Sequence, residues 1–198
     1  MESSRYLIVG GGLTADAACD GIRDVDPDGP ILLVADETHP PYARPPLSKA
    51  LWKGDEESTI WRATEELGVE LRLGRRIVAL DLTTREARDD RGTRYAYEKV
   101  LLATGGRPRR LPFGGDEVIY FRTLDDYRRL RALADDGARC VVIGGGFIGS
   151  EIAAALALNG CSVSMVIPEH GIGARIFPPE LSRALGDYYR SRGVEVLA

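Results

Sequence analysis

The chain has 198 residues, with 26 basic and 30 acidic side chains and a formal charge of −4. A hydrophobic fraction of 44% and a charged fraction of 28% describe an ordinary globular protein of one large or two small domains, and exclude disorder and collagen-like repeats. No apolar run approaches the ~20 residues of a membrane span, and the slight acidity argues against a nucleic-acid binder.

The first predicted element is a strand over 6–9, Tyr6-Leu7-Ile8-Val9. Nothing before it resembles a targeting segment, which points to the cytoplasm. Gly10-Gly11-Gly12-Leu13-Thr14-Ala15 follows, then a helix over 15–25 whose apolar face is Ala17, Ala18, Ile22 and Val25. Pro27-Asp28-Gly29-Pro30 stops it, and 31–34 reads as a second buried strand. The unit is βαβ. Further on, 69–73 alternates like a half-buried strand, and 77–82, 84–88 and 93–97 read as short strands of a small antiparallel meander, with a turn at Asp89-Asp90-Arg91-Gly92. An apolar strand over 99–103 ends in Thr104-Gly105-Gly106. Local basic clusters, Arg107-Pro108-Arg109-Arg110 and Arg128-Arg129, read as solvated surface.

A helix over 125–134 leads into a second βαβ unit: strand 140–143, the turn Gly144-Gly145-Gly146-Phe147-Ile148-Gly149, an Ala-rich helix over 150–158 stopped by Asn159-Gly160, and a strand over 162–167. An amphipathic helix over 180–192 and a strand over 193–197 complete the pattern. The fold class is α/β, with two Rossmann-like units of mostly parallel sheet and one antiparallel meander. The second unit has three strands where a doubly wound domain carries more, so the fold reads as incomplete at its C-terminus.

Each glycine turn follows a strand and opens a helix, the context in which such a turn binds a dinucleotide. The first glycine permits the bend, the second lets backbone approach a pyrophosphate, and the third position lets helix pack on strand. These positions are Gly10, Gly12 and Ala15, then Gly144, Gly146 and Gly149. An acid at the end of the next strand accepts from a ribose hydroxyl. Asp36, with Glu37 beside it, is the candidate in the first unit. In the second, Glu169 follows the strand by two residues and Arg175 is nearby. A carboxylate repels a 2′-phosphate, so NADH is expected over NADPH, with Arg175 keeping NADPH as the alternative. Two dinucleotide sites in one chain point to a bound flavin and a transient nicotinamide. Cys19, Cys140 and Cys161 form no CxxC or CxxxxC pair, which argues against a redox disulfide and against zinc.

Three segments add a resemblance. Pro41-Tyr42-Ala43-Arg44-Pro45-Pro46-Leu47-Ser48-Lys49, Leu102-Ala103-Thr104-Gly105-Gly106-Arg107-Pro108-Arg109, and the second glycine turn through Glu151 resemble FAD-dependent pyridine nucleotide-disulfide-type oxidoreductases, nearest those like apoptosis-inducing factor and ferredoxin reductases. The resemblance implies a first FAD-binding segment over 1–118 and a truncated NAD(P)-binding domain over 119–198. A second FAD segment and a C-terminal domain are expected elsewhere. It implies FAD contacts from Gly10, Gly12, Ala15, Asp36, Glu37, Arg44, Lys49, Ile77, Thr104, Gly105 and Arg122, and NAD contacts from Gly144, Gly145, Gly146, Phe147, Ile148, Gly149, Glu169 and Arg175. Arg44 and Arg122 also suit a pyrophosphate on chemistry alone.

Lys49 and Glu151 are the expected catalytic pair, an ion pair beside the flavin in which Lys49 stabilises developing negative charge. The implied activity passes hydride from NADH to FAD, and electrons onward to a redox protein of ferredoxin or rubredoxin type, in a protein that can dimerise. The alternative is a redox-responsive interaction protein that oxidises NADH slowly. No metal, nucleic acid or membrane is expected.

Overall fold

The computed structural model describes all 198 residues and resolves two compact units, Met1–Ala43 with Glu57–Arg107, and Arg44–Glu56 with Pro108–Ala198. The first unit contains strands β1 (Glu2–Val9), β2 (Ile31–Val34), β3 (Val69–Arg72), β4 (Ile77–Asp81), β5 (Glu86–Asp89) and β6 (Arg94–Leu102), with helix α1 (Leu13–Val25) joining the first two strands. They form one six-stranded sheet in the order β3-β2-β1-β6-β5-β4. β1 pairs in parallel with β2 and β6, β2 pairs in parallel with β3, and β4, β5 and β6 pair antiparallel.

The apolar run of β2 is buried on both faces, as parallel strands covered on both sides are. Leu32 and Val34 join Leu7, Val9 and Tyr95 on one face, while Ile31 and Leu33 join Ile8, Ala15 and Cys19 beneath α1 on the other. The strand over 69–73 extends the parallel sheet beside β2, where Val69 packs into the core beneath α1. One expectation needs correction. The strands over 93–97 and 99–103 are one strand, β6, in register with β1 from Glu2 opposite Tyr95 to Val9 opposite Leu102. Glu98 and Lys99 interrupt its apolar pattern without interrupting the strand. Glu98 accepts from Arg5, and the Lys99 ammonium lies over the Tyr6 ring.

The second unit contains helix α2 (Leu124–Asp135), strand β7 (Arg139–Ile143), helix α3 (Phe147–Leu158), strand β8 (Ser162–Val166), helix α4 (Pro179–Ser191) and strand β9 (Glu195–Leu197). The three strands form a parallel sheet in the order β7-β8-β9. Alternation buries Val163, Met165 and Val196, and leaves Val141, Ile143, Val166 and Leu197 exposed. α2 starts with a capping box, in which Thr123 accepts from the Asp126 N–H and the Asp126 carboxylate accepts from the Thr123 N–H.

Arg44–Glu56 packs within this second unit as two short 3₁₀ turns, Pro45–Ser48 and Ala50–Lys53. Trp52 stands edge-on to Tyr127 of α2 at 5.6 Å, and its Nε1 donates to the Leu47 carbonyl at 2.7 Å. The Asn159 amide donates to the Trp52 carbonyl at 3.2 Å. The compact units therefore differ from a single cut between 118 and 119: the Arg44–Glu56 excursion, fixed by these contacts, is grouped with residues far along the chain. No helix is long and apolar enough to cross a membrane, and no group of three or more His, Cys, Asp and Glu side chains converges as a metal site would require.

Candidate functional site

In the first unit the end of β1 turns sharply. Gly10 donates its N–H to the Val34 carbonyl at 2.8 Å and has φ +124°. A Cβ there would lie 2.1 Å from the Ala103 carbonyl oxygen, so glycine is required both by conformation and by the approach of the chain leaving β6. Gly12 is the N-cap of α1, has no side-chain cap, and a Cβ on it would meet nothing within 4 Å. The helix start is thus without a side-chain cap and open around Gly12, and a helix N-terminus of this kind favours an anion. α1 begins at Leu13, two residues before the expected start at Ala15. Ala15 therefore sits in the first turn, fully buried, where its small side chain lets helix and sheet approach.

Asp36 and Glu37 follow β2. Asp36 is exposed and pairs with Arg76 at 2.8 Å; Glu37 accepts from the Tyr42 hydroxyl at 2.6 Å. Ile77, the first residue of β4, directly follows Arg76, so it lies beside the Asp36 partner. Thr104 and Gly105 are exposed just past the end of β6, and Gly105 has φ +65°.

The second unit repeats the first turn closely. Gly144 has φ +108° and donates to the Val166 carbonyl at 2.9 Å. Gly146 is the N-cap of α3, again without a side-chain cap and with open space around it. α3 starts at Phe147, three residues ahead of expectation, which puts Gly149 inside the first turn. A Cβ there would lie 2.2 Å from the Gly144 carbonyl oxygen. Gly145 is buried against Ile167, and its carbonyl accepts from the Gly173 N–H at 2.7 Å. Phe147 and Ile148 are exposed, and Phe147 meets Phe177 edge-on at 6.5 Å. Arg175 Nε donates to Glu169 at 2.6 Å, so these two candidates form one exposed ion pair.

The second unit also holds the Pro-rich segment. Lys49 Nζ donates to Glu151 Oε2 at 2.8 Å. The same oxygen accepts from the Ser48 hydroxyl at 2.6 Å, a partner that sequence reasoning missed. Burial pushes the Glu151 carboxyl up, but the hydrogen bonds from Lys49 and Ser48 and the lysine's charge outweigh it and hold the group below its ordinary value. Tyr189 of α4 donates to the Ser150 carbonyl at 3.1 Å beside this cluster. Arg44 donates to the Arg122 carbonyl at 3.0 Å, so the two arginines expected at a pyrophosphate are neighbours. The cysteines are free. Burial, aided by the charge of Asp16, pushes the Cys19 thiol up to about 11, far from a reactive thiolate.

A family model described as pyridine nucleotide-disulphide oxidoreductase matches residues 4–198. The chain belongs to this family. It is 38% identical to the ferredoxin–NAD(+) reductase component of the anthranilate 1,2-dioxygenase system of Burkholderia cepacia, over 95% of this chain and 47% of that protein. It is 30% identical to mitochondrial apoptosis-inducing factor 1 of Dictyostelium discoideum, over 99% of this chain and 42% of that protein. Among solved structures it superposes on the covalent putidaredoxin reductase–putidaredoxin complex with a TM-score of 0.86 at 29% identity, over 99% of this chain and 50% of that one. The chain thus spans about half the length of the relatives it matches.

Proposed function

We infer that the chain serves in an FAD-dependent NADH oxidoreductase that passes electrons to a ferredoxin- or rubredoxin-type protein. The observation that carries this reading is the duplicated turn. Two strand–glycine–helix junctions of the same build each offer an uncapped helix start with open space before it. The residues present fit two dinucleotides: each cradle would be filled by a side chain at Gly12 or Gly146, and each is followed by a carboxylate pair member, Asp36 or Glu169. When bound, the nicotinamide supplies a hydride and the flavin accepts it and releases electrons singly or in pairs.

The chain's own residues divide the work. Gly10, Gly12 and Ala15 would admit the FAD pyrophosphate to α1, with Asp36 accepting from a ribose hydroxyl. Arg44 and Arg122 supply charge for phosphate. Gly144 through Gly149 would do the same for NADH at α3, where the exposed Phe147 and Ile148 offer apolar surface to a planar ring. Lys49, tied to Glu151, brings a fixed positive charge, which favours the reduced and more negative partner of a hydride exchange. Glu169 pairs with Arg175, a cation suited to a 2′-phosphate, so NADH is preferred. The relatives named for ferredoxin and putidaredoxin support a small redox protein as acceptor.

The test is reduction of a purified ferredoxin by NADH with the FAD-loaded protein. Turnover with ferredoxin supports the reading, whereas slow NADH oxidation unaffected by any redox protein would support the alternative of an interaction protein.

A further inference from the structure

We propose that Ser48 is a positioning residue for hydride transfer: its hydroxyl holds the Glu151 carboxylate, and the carboxylate aims the Lys49 ammonium. This role rests on the function proposed above and adds a residue to it.

The geometry is a chain of decreasing rigidity. Ser48 is 5% exposed and closes the 3₁₀ turn Pro45–Ser48, where two prolines fix φ. The Lys49 N–H donates to the Pro46 carbonyl at 3.0 Å, and the Trp52 indole holds the Leu47 carbonyl at 2.7 Å, so the backbone on both sides of the serine is tied. Glu151 comes next, with a side chain 26% exposed, and Lys49 last at 51%. A half-exposed lysine with a four-carbon stem gains little order from an ion pair alone, because such pairs contribute ~0–1 kcal/mol and cost side-chain entropy. A carboxylate anchored at 2.6 Å by a buried hydroxyl is a different partner. Its accepting oxygen is fixed in place, and the ammonium at 2.8 Å is directed by it. Oε2 takes both bonds, so removal of the hydroxyl frees the carboxylate to rotate and carry the lysine with it. Tyr189, whose own titration is raised by burial and then by the Glu151 charge, turns its hydroxyl to the Ser150 carbonyl, while the carboxylate takes its bonds from Ser48 and Lys49.

The experiment uses the FAD-loaded protein and four variants: Ser48→Ala, Ser48→Thr, Glu151→Ala and the Ser48→Ala/Glu151→Ala double. Rapid mixing with NADH gives the limiting rate of flavin reduction and the NADH dissociation constant, and carbon NMR without NADH gives the Glu151 titration. Ser48→Ala is expected to slow reduction about ten-fold, the scale of one charge-assisted hydrogen bond, with NADH affinity unchanged. The Glu151 carboxyl then titrates at higher pH, because a bond to its ionised form is gone. Ser48→Thr keeps the hydroxyl and keeps the rate, and Ser48→Ala adds nothing in the Glu151→Ala background. A wild-type rate with an unchanged Glu151 titration in Ser48→Ala, or an equal slowing in the Glu151→Ala background, overturns the proposal. Glu151→Ala with undiminished reduction also overturns it while the proposed function stands; if NADH does not reduce the flavin of the unmodified protein, both fall.

Discussion

Among the glycines, Gly10 and Gly149 are the two that other backbone approaches most closely. A Cβ at Gly10 would sit 2.1 Å from a backbone oxygen at φ +124°, and at Gly149 2.2 Å from another. Backbone cannot yield as a side-chain tip can, so Gly10→Ala and Gly149→Ala are each expected to cost about 3 kcal/mol or to displace the turn. The two are distinguishable: calorimetry with each nucleotide should show Gly10→Ala losing FAD affinity and Gly149→Ala losing NADH affinity. Glu169 and Arg175 make the opposite kind of prediction. Their ion pair is exposed and contributes little to stability. Glu169→Gln frees Arg175, so the preference for NADH proposed above should shrink by about ten-fold in kcat/KM while the melting temperature stays put. An unchanged preference would show that neither residue reads the ribose.

At the scale of elements, the antiparallel part of the first sheet is organised by one buried carboxylate. Asp89 accepts from the Arg91 and Thr93 N–H groups and from the Tyr95 hydroxyl at 2.8 Å, with Arg75 at 3.3 Å. Burial pushes its carboxyl up, but these bonds prevail and hold it below its ordinary value. Burial and the bond to Asp89 push Tyr95 from 10.0 up to about 12. The sign follows for each. Asp89 contributes stability above the ordinary carboxylate value, lost as pH falls through its depressed one. Tyr95 contributes stability below 10.0, lost as pH rises toward about 12. Urea midpoints against pH should decline at both ends, and Tyr95→Phe should lessen the alkaline decline, part of which stays with the buried Cys19 thiol, raised as well.

These elements also show what was legible in the sequence. Apolar runs before the glycine turns located β1 and β7, and the βαβ pattern then located β2 and β8; only β2, buried on both faces, leaves the continuous apolar signature of a covered parallel strand. The helices start at Leu13 and Phe147, earlier than the pattern predicts, since the third position of each turn lies inside the first helical turn. The pattern breaks β6 at Glu98-Lys99, whose charges lie on the sheet surface. Lys49 and Glu151 were legible through the resemblance. Ser48 was not, since a serine among prolines gives no sign of a partner 103 positions away. Nor did composition show that Trp52, Tyr127 and Asn159 hold Arg44–Glu56 in the second unit.

At the scale of the whole molecule, the family match runs from residue 4 to 198 and each compact unit carries one glycine turn. The sheet face bearing Val141, Ile143, Val166 and Leu197 is exposed in the 198-residue chain. A patch of that kind binds hydrophobic dyes; Val141→Thr with Ile143→Thr should lower the fluorescence of bound anilinonaphthalene sulfonate, and an unchanged signal would place the dye elsewhere. The central claim is that NADH gives its hydride to FAD held by this chain's family fold. Anaerobic mixing of the FAD-loaded protein with NADH, followed by the flavin's visible absorbance, tests it directly. The account predicts bleaching within a turnover, at least ten-fold more efficient with NADH than with NADPH, about 1.4 kcal/mol of discrimination. A flavin that stays oxidised in the presence of NADH would contradict it.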